Sequence, residues 1–143
     1  MLAKLMAAPV LVVLYALAPA EPLPEQTMIG FQTPSRNVVC QFFSRNGQDY
    51  LRCDIVDMNV RPKPPPHCHA AWGDAFEMPV KGKPERVCHG DTVSDRSLPV
   101  LGYGQIWQRG GFTCRSEPTG LLCFNVMMRG FALSRARQVI FCA

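Results

Sequence analysis

Residues with metal-binding and acid–base potential concentrate between positions 67 and 91: His67-Cys68-His69, then Asp74, then Cys88-His89 and Asp91. Imidazoles with a carboxylate could hold zinc or copper if both thiols were free. Seven cysteines, all beyond residue 39 in a chain with an export-type leader, read instead as a disulfide framework. A Cys68–Cys88 bridge would withdraw both thiolates. It would still gather His67, His69 and His89, so a histidine-only surface site is the one metal reading left. It ranks below histidines that merely flank a bridge, and no metal or cofactor is expected.

His89 and Asp91 have the residue types of a base and its orienter. No nucleophile is picked out by spacing, and no Gly-x-Ser-x-Gly elbow occurs. The carboxylate pairs Asp54/Asp57 and Asp74/Glu77 suit turns and surfaces better than a glycosidase cleft. A Cys-x-x-Cys pair is absent, and Gly102, Gly104, Gly110 and Gly111 match neither phosphate-binding fingerprint. No catalytic residue is assigned. Around those glycines, Tyr103, Trp107 and Phe112 are either core or an exposed aromatic strip for a sugar or protein partner.

The elements that must position these residues are short strands. Residues 38–55 alternate in character on either side of Asn46-Gly47, a strong hairpin signal. A two-residue turn there sets Cys40 opposite Cys53 in a non-hydrogen-bonded pair, where Cα atoms approach to about 4.5 Å and a disulfide can close. Phe42 then faces Leu51, and Val38 faces Ile55. Residues 112–125 repeat the device around a Pro118-Thr119 turn, with Cys114 opposite Cys123; a bulge at Gly120 would slip this register. With those two bridges assigned, Cys68–Cys88 is the simplest third, and Cys142 is left unpaired. Each bridge stabilises by about 3 kcal/mol on loop-closure grounds.

Other segments are less regular. Residues 28–32 suggest a short strand before a Thr33-Pro34-Ser35 turn. The run from Arg61 to Pro66 reads as a stiff polyproline-like connector. Residues 74–78 could make one helical turn, or 78–88 a small hairpin about Gly82-Lys83-Pro84. Asp91 or Ser94 could cap a helical turn closed by Pro99. Residues 100–107 and 131–133 are strand candidates, and 139–141 is apolar enough to dock on the body.

Residues 1–20 read as a cleaved signal: Lys4 precedes an apolar stretch at 5–17, and Ala18-Pro19-Ala20 fits the small-x-small pattern. Residues 21–30 form a polar leader and 31–143 a single domain. No later stretch is long and apolar enough for a transmembrane helix. The net charge of +4 loses one unit with Lys4. That bias is too small, and too poor in interleaved aromatics, for a nucleic-acid surface.

The strings LRCD at 51–54, WGDAF at 72–76, VCHGDT at 87–92, GGFTC at 110–114, GLLCFN at 120–125 and GFALSRAR at 130–137 together resemble a family of small exported bacterial proteins. That family is classified only as a domain of unknown function. The resemblance implies an envelope or secreted location and a six-cysteine pattern, with Cys142 additional, but no activity. Arg36 stands where the family's Pro-Ser-Gly-Asn turn has glycine, which argues against a left-handed geometry there. His89-Gly90-Asp91 and Trp72-Gly73-Asp74 mark either a shared site or a buried turn network.

The resulting expectation is an all-β domain, a small disulfide-braced antiparallel sheet or barrel-like body with hairpins at 38–55 and 112–125. It would be secreted or periplasmic and act as an extracytoplasmic binding or envelope-associated module rather than an enzyme. The expected surface combines Trp72, Asp74, His89, Asp91, Tyr103 and Trp107, facing a protein or glycan partner in the envelope and no nucleic acid. The alternatives are a cell-wall-directed hydrolase using His89 and Asp91, and a lysozyme-inhibitor-like protein.

Overall fold

Alternating side chains and closely spaced turns leave the chain one economical solution, two antiparallel meanders laid face to face. The computed structural model describes residues 29–142, so the expected signal at 1–20 lies outside the described residues. The first sheet runs β1 (Gly30–Gln32), β2 (Val38–Arg45), β3 (Gln48–Ile55), β4 (Ala75–Pro79) and β5 (Glu85–Arg86), each strand paired with the next. The second runs β6 (Ile106–Arg109), β7 (Phe112–Glu117), β8 (Gly120–Phe124), β9 (Gly130–Leu133) and β10 (Gln138–Phe141) in the same manner. No helix occurs among the described residues.

Both meanders are built on the same transverse row. In the first sheet Phe31, Cys40, Cys53 and Phe76 lie side by side on successive strands. In the second the row is Trp107, Cys114, Cys123 and Phe131. Each sheet thus places a cross-strand disulfide between two aromatics, and the Cα separation is 4.1 Å in both bridges. The rows meet across the core. Phe31 packs on Trp107 at 5.3 Å between ring centroids, and Phe76 on Phe131 at 5.9 Å. Between these pairs the Cys123 sulfur lies within 4.8 Å of both Cys40 and Cys53. Leu51, Ile55, Met78, Phe112, Leu121 and Leu133 fill the remaining core.

The sheets stay open rather than closing into a barrel. At the β1 edge, among the described residues, the chain makes an isolated parallel bridge, Gln32 to Val100. Gln32 is buried and spends its amide on the Arg96 and Leu98 carbonyls, which holds the connection between the halves.

One open local expectation is resolved and two are overturned. Of the two readings of the 74–88 stretch the helical turn fails and the small hairpin is found, as β4 paired with β5: Phe76 and Met78 turn to the core at period two while Glu77 faces outward to Arg45. Residues 91–99 form no helical turn; Thr92 and the Val93 amide are committed to Asp54. Arg36 does adopt the left-handed conformation, with φ 59°. The Arg36 amide donates to the Thr33 carbonyl and the Val38 amide to Thr33 Oγ1, and this network holds a geometry that costs a non-glycine residue about 1–2 kcal/mol. Gly110 is required where it stands: at φ 56° a Cβ would come within 2.4 Å of the Phe42 ring.

Candidate functional site

The residues expected to form one surface are distributed over three places. Trp107 is completely buried in the transverse row, which corrects its expected surface role: alternation along β6 turns it against Phe31. Trp72, Asp74, His89 and Asp91 gather beside the Cys68–Cys88 bridge. Tyr103 stands apart from them, on the connection between the sheets.

The His89 locus is built from the segment before β4 and the segment after β5. Ala71 and His89 exchange both backbone hydrogen bonds, next to the disulfide. Gly73, at φ 106°, lets the proline run pack against it, since a Cβ would meet Pro62 at 2.8 Å. His89 Nε2 lies 2.8 Å from Asp74 Oδ1, and Nδ1 is hydrogen-bonded to the Asp91 carbonyl. Both ring nitrogens are thus engaged by neighbouring groups of the locus itself. Arg61 Nη1 reaches the other Asp74 oxygen at 2.9 Å. Burial pushes the Asp74 carboxyl up, but the bonds from His89 and Arg61 outweigh it and hold the group below its ordinary value.

Beside it lies a second network that sequence reasoning missed. Arg52 clasps Asp54 through Nε at 2.8 Å and Nη2 at 3.1 Å, and reaches Asp91 Oδ1 through Nη1 at 2.9 Å. Its Nη2 also donates to the Asp91 carbonyl. The bond from Arg52 holds the Asp91 carboxyl below the usual carboxylate range. The signal was in the sequence: Arg52 and Asp54 alternate with Leu51, Cys53 and Ile55, so they share the outer face of β3.

A shallow groove of about 690 Å³ crosses this outer face, with Arg45, Tyr50, Arg52, Glu77, His89 and Asp91 on its walls. Most of its charges are spent on each other, including Arg45 on Glu77 at 2.7 Å. No serine, threonine or free cysteine lines it, and the Asp91 carboxylate contacts Arg52 rather than His89. The geometry is that of a clamp on the 88–93 segment. His67 and His69 are exposed and do not join His89 in a ligand set; among the described residues, the one group at metal-ligand spacing is Cys40, Cys53 and Cys123, all in disulfides.

The second concavity, about 410 Å³, opens at the end of the sandwich where β2 begins and β7 ends. Its floor is apolar, Val38, Leu121 and Leu133, and its walls come from both sheets. Thr33, Ser35 and Asn37 line one side; Glu117, Thr119, Ser134 and Arg135 line the other. Asn37 is fixed by two bonds to the Asp57 backbone. Gly120 keeps the β7–β8 turn tight against β9, where a Cβ would sit 2.6 Å from the Leu133 carbonyl. Tyr103 stands at the rim, 55% exposed. Among the described residues its hydroxyl and the Asp57 carboxylate have no partner, in contrast to the saturated His89 locus. An apolar floor under a rigid polar rim is the usual form of a small-ligand site.

A family model covers residues 9–141. The chain belongs to the family of unknown function DUF6636. Two of the strings that carried the resemblance line the Tyr103 cleft of this DUF6636 chain, GLLCFN with Gly120 and Leu121 and GFALSRAR with Leu133 to Ala136, and they face Ser35 and Asn37 of the turn where the chain departs from the family. No curated protein and no solved structure matches it.

Proposed function

We propose that the chain is an exported binding module that holds the hydroxyl-rich end of a glycan in the Tyr103 cleft. Three disulfides support an oxidising, extracytoplasmic setting, and no helix among the described residues is long and apolar enough to cross a membrane. The observation that carries the reading is an exposed tyrosine ring over a preformed cleft whose Asp57 carboxylate is unspent. The ring face suits the C–H face of a pyranose, while planar carboxylate, amide and guanidinium groups pair with vicinal hydroxyls. Asp57 supplies an unspent carboxylate, and Asn37, Glu117 and Arg135, held in place by the Asp57 backbone, Arg115 and Asn59, supply the hydrogen-bonding capacity those contacts leave over.

The test is titration against neutral and N-acetylated oligosaccharides, read by chemical-shift changes. Tyr103→Ala is expected to weaken binding about three- to tenfold, and Asp57→Asn to weaken it further when combined. Binding that survives both substitutions, or shifts confined to the His89 groove, refutes the assignment. A lysozyme arm in the same assay addresses the inhibitor alternative, since capture through the outer face of β3 would leave Tyr103 unaffected.

A further inference from the structure

The opposite end of the sandwich has a different character and does not depend on the glycan reading. Four turns converge there, at 46–47, 80–84, 110–111 and 125–129, as the registers Arg45 to Gln48, Tyr50 to Pro79, Arg109 to Phe112 and Phe124 to Gly130 require. The turn after β8 displays three successive apolar side chains: Val126, Met127 and Met128 are 53%, 44% and 56% exposed. A run of this kind on a folded surface calls for a partner.

The display is rigid. Asn125 is buried, and its Oδ1 accepts from the Met127 and Arg129 amides at 3.0 and 3.2 Å. Its Nδ2 donates across to the other sheet, to the Pro79 and Gly82 carbonyls at 3.0 and 3.1 Å. The Met128 amide closes the turn on the Asn125 carbonyl, with Met128 at φ 56°. The amides of residues 127 to 129 are therefore satisfied inside the turn, which is what backbone must achieve before it enters an apolar medium. The same bonds seat the apolar tip beside Lys81 and Lys83, both exposed, which flank Gly82. Val80 and Val126 both lie against Gly111, where a Cβ would meet them at 3.1 and 2.9 Å. Arg129 ends the turn. None of the four turns contains an acidic residue.

An apolar tip inside a basic rim matches the interface of an anionic bilayer. We propose that this end docks on anionic phospholipid, with Val126, Met127 and Met128 entering the boundary between headgroups and acyl chains and Lys81, Lys83 and Arg129 facing the lipid phosphates.

Co-sedimentation of the full chain with phosphatidylglycerol–phosphatidylcholine vesicles, against phosphatidylcholine alone, tests it. Binding is expected only to the anionic vesicles and should fall with added salt. Lys81→Glu with Lys83→Glu, and separately Met127→Asp, are each expected to lower the partition constant about tenfold or more. Val60→Asp, an exposed apolar position outside the four turns, should bind as the parent does. Thermal midpoints within a degree or two of the parent establish that each variant is folded. Three outcomes overturn the proposal. Vesicle binding is absent; or it persists in both tip variants, as it would if residues 1–28 carried it; or Met127→Asp is silent while soluble polyglutamate competes, which assigns the end to an acidic protein.

Discussion

At the scale of single residues, Asp74 is the group whose charge the fold most clearly exploits. Its carboxyl is held below the ordinary value by His89 and Arg61 in spite of burial. A carboxyl whose folded value is depressed adds stability that is complete above the unfolded value of about 3.9 and is lost as pH falls through the folded value. Stability traced to Asp74 is therefore expected to be flat above about pH 5 and to decline below about pH 4. Urea titrations of the parent and of Asp74→Asn at a series of pH values check this: the acid-side slope should be shallower in the variant, and an unchanged slope refutes the assignment. The distribution of the expected surface is also explained residue by residue. Trp107 and Tyr103 look alike in a sequence, as aromatics four positions apart among glycines. Only strand phase separates them, and Gly102 and Gly104 hide that phase. His89 and Asp91 were picked out by residue type. Their actual side-chain partners, Asp74 for His89 and Arg52 for Asp91, come from two other segments that no local pattern connects.

At the scale of elements, legibility followed how local the constraint was. The Asn46-Gly47 and Pro118-Thr119 turns each fix a register by themselves, so β2–β3 and β7–β8 were readable down to Cys40 opposite Cys53 and Cys114 opposite Cys123. β4 was left between a helical and an extended reading, because the two differ only through pairing with its neighbours. The 88–93 segment was read as turn-like but not placed, since what fastens it is Arg52 and Asp54 on the far side of a long insertion. Arg52→Leu should release that segment and leave Asp54 buried with only Thr92 and Val93 as donors. A loss of about 2–3 kcal/mol in urea unfolding is expected, together with faster amide exchange at 91–93. Loss of stability with exchange at 91–93 unchanged would show that Arg52 acts by some other route.

At the scale of the whole molecule, each meander is closed on itself: the three disulfides each lie within one half or the other, and among the described residues no hydrogen-bonded strand pair crosses between sheets. What joins the halves is side-chain packing, a few hydrogen bonds outside the strand ladders (Asn125 to the Pro79 and Gly82 carbonyls, Arg135 to Asn59, and the Gln32 to Val100 bridge) and one covalent connection through the exposed residues 94–97. Arg96 offers trypsin a site there. A single cut after Arg96 is expected to leave one native-sized particle by gel filtration, which separates into two chains in denaturant without any reductant. Separation in native buffer would mean that the two faces do not hold each other.

The sulfur stack at the centre also bears on how such a chain must be made. Once the sheets have met, Cys123 lies within 4.8 Å of Cys40 and Cys53, so a small shift of side chains in a still-reduced core would bring foreign sulfurs together as readily as native ones. Partner choice has to be settled while the hairpins are still separate, and the short separations of 13 and 9 residues favour that order. A cell that oxidises this polypeptide late, after collapse, should accumulate isomers sewn across the two layers.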